Sequence, residues 1–135
     1  MKSLESIIKL DKSNYNNIWS DSEKYSLSVY SLIGIHRFNI IVSEEELVKL
    51  IASLFDYLEL DSKLSRVILD NYIIEIIKDN IDYSLDYIKI YKRNQYLDTY
   101  VKRIILSFTE DFPELGLTNF AQELNYNYLS YKKEE

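Results

Sequence analysis

Residues 64–77 read Leu-Ser-Arg-Val-Ile-Leu-Asp-Asn-Tyr-Ile-Ile-Glu-Ile-Ile. Leu64, Val67, Ile68, Tyr72, Ile73, Ile76 and Ile77 recur at helical spacing and spread over more than one face. A helix that is apolar around so much of its circumference belongs at the centre of a bundle. Asp61 or Ser62 is placed to cap it, and Asp79-Asn80 to interrupt it. Read this way, the segment makes the whole chain all-α.

The flanking sequence is consistent with that reading. Upstream, Ser43-Glu-Glu-Glu46 has the form of a capping box. The Ser hydroxyl accepts from the N–H three residues on, and the Glu reaches back. Leu47, Leu50, Ile51, Leu54 and Leu58 follow as an apolar stripe. Ser20-Asp-Ser-Glu23 repeats the capping pattern ahead of Tyr25, Val29, Leu32 and Ile33, with Gly34 as a stop. Tyr25-Ser-Leu-Ser-Val29 also alternates as a strand would, but the cap and the continuation favour helix. His36 to Val42 reads as a buried loop or extended connection. Ser3 ahead of Leu4, Ile7 and Ile8 suggests a short first helix, and Asp11 to Asn17 a polar connection. Downstream, Ile81, Leu85 and Ile88 fall together on a helix running to Arg93. Lys92 to Gln95 form a break, and Leu97, Val101, Ile104, Ile105 and Phe108 form another stripe. Pro113 and Gly116 mark a loop, and Thr118 or Asn119 caps a last helix with Phe120, Leu124 and Tyr128. The expectation is one compact bundle of about six or seven mostly antiparallel helices over residues 1–135.

Composition bounds the chemistry. The 135 residues include no Cys, which excludes disulfides, Cys-based zinc sites and thiol catalysis, and fits a reducing, cytoplasmic compartment. With 2 Gly and 1 Pro, the chain is poor in the residues that phosphate-cradling loops and turn-rich β-sandwiches use. The net charge of −6 repels nucleic acid and anionic membranes and favours a basic partner. The opening MKSLESIIKLDKSN has one early Lys and no long apolar run and is not expected to act as a secretory signal, and no stretch approaches the roughly 18 apolar residues expected of a membrane span.

No catalytic constellation emerges. His36 is the one histidine, with no nucleophile or base placed beside it by motif. The acids lack the Glu-x-x-His pattern of bundled metal sites, and Asp79-x-x-Asp82 lacks the glycine and terminal Glu of a calcium loop. No cofactor is expected. The acids read as caps and solvated faces, or as an acidic patch. The most specific surface is Tyr83, Tyr87, Ile90 and Tyr91, opposite Ile81, Leu85 and Ile88 on the same expected helix. Either a neighbouring helix covers it or it forms an aromatic patch beside Asp82 and Asp86. Aromatic anchors rimmed by charge are typical of protein interfaces.

One stretch resembles a known family. Val101-Lys-Arg-Ile-Ile, Phe112-Pro-Glu and Leu117-Thr-Asn-Phe-Ala-Gln-Glu-Leu-Asn-Tyr126 are similar to the first helix-turn-helix of AraC-type transcription regulators. Tyr128-Leu-Ser130 and Lys132-Lys133 stand where its recognition helix would be. The resemblance covers residues 101–133 and implies DNA binding. The residues themselves point first to another class: a non-enzymatic protein that neutralises or sequesters a partner protein. Immunity proteins and antitoxins are of this kind, here with an acidic, Tyr-rich surface facing a basic toxin. A viral helical antagonist of the Bcl-2-like type is a variant of the same class.

Overall fold

The computed structural model describes residues 8–13, 24–30, 36–59, 64–78, 86–107 and 116–133. These residues are mostly β. Strands β1 (Ile8–Ser13), β2 (Lys24–Tyr30) and β3 (His36–Ser43) precede helix α1 (Glu44–Glu59). Strands β4 (Leu64–Ile68), β5 (Tyr72–Ile77), β6 (Tyr87–Asn94) and β7 (Thr99–Ser107) follow, and helix α2 (Gly116–Lys133) comes last. The strands form two antiparallel sheets, in the orders β1-β2-β3 and β4-β5-β6-β7.

The expected all-α bundle is therefore wrong, and residues 64–77 show why. They form a hairpin, with the Leu69 N–H donating to the Tyr72 carbonyl across the Asp70-Asn71 turn. Val67, Tyr72, Ile74 and Ile76 point inward and are buried, while Leu64 and Ile68 are exposed. A segment apolar on several helical faces is also apolar on both faces of a strand pair, and here the second geometry holds. The same correction applies elsewhere. The expected helix over Tyr25–Ile33 is β2 as far as Tyr30, and His36–Val42 is β3 rather than a loop. Ile8 lies in β1, not in a helix, and Asp11 belongs to that strand rather than to a connection. The helices expected over 82–93 and 97–108 are β6 and β7, joined by a tight turn. Ser20–Glu23, Asp61, Ser62, Asp79–Leu85 and Phe108–Leu115 lie outside the described residues.

Helix α1 follows its sequence signals. The Ser43 N–H donates to Glu46 Oε1 at 3.0 Å and the Glu46 N–H to Ser43 Oγ at 3.2 Å, closing the capping box. Leu47, Leu50, Ile51 and Leu54 are buried. Helix α2 starts at Gly116, whose φ of +68° suits glycine, so Thr118 and Asn119 lie in its first turn instead of capping it.

In the first sheet, register aligns Ile8, Val29 and Phe38 in one row and Leu10, Leu27 and Ile40 in the next, all buried. Helix α1 packs against β2, β3 and β4, so it joins the two sheets, while α2 packs on β1 and α1. The buried side chains of both sheets and both helices form one cluster. Tyr25 sits edge-on to Tyr128 and Tyr131, with ring centroids 6.0 and 5.9 Å away, which seats α2 on the first sheet.

Candidate interaction site

The second sheet turns one face to solvent. On it, Leu64, Ile77 and Tyr87 form one row, Arg66, Glu75 and Lys89 the next, and Ile68, Ile73 and Tyr91 a third. Arg66 donates to Glu75 Oε2 through Nη2 at 2.8 Å, and this contact holds the Glu75 carboxyl below its usual range. The Tyr91 hydroxyl hydrogen-bonds the same carboxylate and is pushed up by it. Lys89 Nζ lies 5.4 Å from the Tyr87 ring centroid.

The residues singled out from sequence divide here. Tyr87 and Tyr91 do share a face, because positions four apart align on a strand as well as on a helix. Their charged neighbours are Lys89, Arg66 and Glu75. Asp86 does not join them; it is buried, and its charge acts on Tyr57 in α1. Asp82 and Tyr83 lie outside the described residues. His36 stands opposite Tyr30 in the first sheet. Among the described residues no group of acids or histidines could hold a metal ion, and no helix is long and apolar enough to cross a membrane.

The residues of the helix-turn-helix resemblance occupy one strand and one helix. Val101–Ile105 belongs to β7, and Leu117–Lys133 runs through α2 without a turn. Tyr128 donates to Glu44 Oε1 at 2.8 Å, and Lys132 pairs with the same carboxylate. Burial, helped by Glu44, pushes the Tyr128 hydroxyl up. Both residues thus fasten α2 to the start of α1.

Among the described residues, the most exposed apolar side chains lie on the β6–β7 turn, just past the Lys92–Gln95 stretch expected as a break and where Leu97 was expected to start a helical stripe. The β6–β7 turn displays Tyr96, 99% exposed, and Leu97, 70% exposed. The turn is braced from within. Asn94 Oδ1 accepts from the N–H groups of Tyr96 at 3.0 Å and Leu97 at 3.4 Å. Arg93 Nη2 meets Asp98 Oδ1 at 2.9 Å, and Asp98 takes a φ of +48°, which Asp tolerates better than most residues. Asn94-Gln-Tyr-Leu-Asp98 between two alternating runs was the available signal for this hairpin.

Beside the tip lies a groove of about 850 Å³. Lys24 and Ile41 of the first sheet form one side, and Tyr72, Lys92, Val101 and Lys102 of the second form the other. Lys24, Lys92 and Lys102 make no ion pair among the described residues. An acidic chain therefore carries one local basic groove next to an exposed aromatic tip. No known protein family, curated protein or solved structure matches the chain.

Proposed function

We propose that the protein is a non-enzymatic binding domain that neutralises a partner protein, in the manner of an immunity protein or antitoxin, and that it grips with the β6–β7 hairpin. The observation that carries this reading is the braced tip with Tyr96 and Leu97 bare to solvent. An exposed tyrosine and leucine on a rigid turn contribute apolar contact at small entropic cost, as interface anchors do. The Tyr87–Tyr91 face extends the same sheet as a second apolar surface. The net charge of −6 keeps such a surface soluble and steers it toward basic regions of a partner.

The test is affinity capture from the native host with the intact protein and with Tyr96→Ser/Leu97→Ser. The reading expects one protein to be held by the first and lost by the second, with both melting at the same temperature. Equal capture by the two overturns the hairpin as the grip.

A further inference from the structure

We infer that the groove beside the hairpin holds an extended, acidic peptide segment of the partner, a conclusion that rests on the protein-binding reading above. Three lysines from three strands line it: Lys24 from β2, Lys92 from β6 and Lys102 from β7. None has an ion-pair partner among the described residues, while Arg66, Arg93 and Lys132 each do. Three like charges around one groove repel one another and are stabilised by an anionic occupant.

The remaining lining selects among anions. Ile41 and Val101, exposed at 41% and 51%, line the groove together with the lysines, Val101 opposite Lys92 across the strand pair. Such a mixed surface matches an extended segment that carries both carboxylates and apolar side chains. β7 gives Val101 and Lys102 to the groove and is an edge strand whose outer side pairs with no other strand of its sheet among the described residues. That edge offers a peptide main-chain hydrogen bonds. A nucleic acid would use the lysines but not the apolar strip or the strand edge. Its dense charge would also meet the repulsion of a molecule of net charge −6 over its whole length. A short acidic segment presents few charges and seats them close to the lysines, where local attraction exceeds the screened field of the rest.

The experiment titrates the isotope-labelled full chain by NMR with the peptide acetyl-Glu-Val-Glu-Ile-Glu-Val-Glu-amide, its Gln-for-Glu counterpart and a thymidine dodecanucleotide, at about 50 mM salt. The expected result is saturable binding of the acidic peptide with shifts at Lys24, Lys92, Val101 and Lys102. Binding should weaken by roughly tenfold with the Gln peptide and by at least as much in Lys24→Gln/Lys92→Gln/Lys102→Gln. No saturable binding, unchanged affinity in the triple variant, or tighter binding of the dodecanucleotide in the same groove each overturns the inference. The variant keeps Tyr96 and Leu97, so the two proposals separate. Partner capture without peptide binding leaves the hairpin reading standing and removes this one, and peptide binding without any captured partner does the reverse.

Discussion

The Tyr131 hydroxyl donates to the main-chain carbonyl of Leu10 at 2.6 Å, joining residues 121 positions apart. It ties the last turns of α2 to the edge strand of the first sheet. Replacing Tyr131 with Phe keeps the ring against Tyr25 but leaves that carbonyl without its partner. The expected loss is about 1 kcal/mol, read as a lower urea midpoint with unchanged slope.

Strand alternation gives a sharper test in the second sheet. Ile74 is 2% exposed and Ile68 57%. Ile74→Ala should cost about 2–5 kcal/mol, and Ile68→Ala within about 0.5 kcal/mol of nothing. Denaturant unfolding of the two variants checks this. Similar costs for both would contradict the two-faced sheet.

The capping box makes its own prediction. Ser43→Ala removes the acceptor for the Glu46 N–H and should cost about 1 kcal/mol. Glu46 also accepts from the Asp70 N–H through Oε2 at 2.8 Å, bracing the β4–β5 turn. Glu46→Gln has one acceptor oxygen and can keep one of the two contacts, its NH2 facing the other N–H, so only part of the bracing is retained. Denaturant midpoints of Glu46→Gln and Ser43→Ala against the parent separate the two contributions.

Alkaline stability should follow Tyr57. Burial, and after it the nearby Asp86 charge, pushes this hydroxyl from 10.0 up to about 12. Below pH 10 both folded and unfolded chains keep the proton, and this contribution to stability is fully present. Between pH 10 and 12 the unfolded chain loses the proton while the folded chain holds it. Stability then falls by up to about 1.4 kcal/mol per pH unit. Tyr57→Phe should flatten that decline relative to the parent in urea titrations at pH 9, 10 and 11.

Much of this was readable in the sequence, but not all at the level where it was sought. The Ser43–Glu46 box and the stripe from Leu47 to Leu54 specify α1 because cap and stripe are local. Residues 64–77 carry no such local decision. Their β-branched and aromatic side chains suit a strand, and Asp70-Asn71 suits a turn. Strand pairing, though, draws on partners elsewhere in the chain. In Tyr87-Ile-Lys-Ile-Tyr91 every second side chain turns inward, yet Ile81, Leu85 and Ile88 also fit one face of a helix, with Tyr87 and Tyr91 on the other. Spacing by four hid the difference, since it groups Tyr87 with Tyr91 in either geometry. Asp86, by contrast, changes sides between the two. The scarcity of glycine misled as well, because the turns at 70–71 and 94–98 are built from Asn and Asp. The groove could not be read at all: Lys24, Lys92 and Lys102 meet only when two sheets do.

The seating of α2 on β1 sets an order of assembly on the ribosome. The first sheet is complete in sequence by Ser43, and α1 follows it directly, so much of that layer can form early. The patch under Tyr25 and Leu10 waits for Tyr128 and Tyr131, which follow only after α1 and the whole second sheet. Until then the nascent chain carries an uncovered apolar surface, the kind of exposure that chaperones bind and that drives aggregation when synthesis stalls. Translational arrest before residue 128 should therefore yield a chain more dependent on chaperones than one in which α2 has emerged.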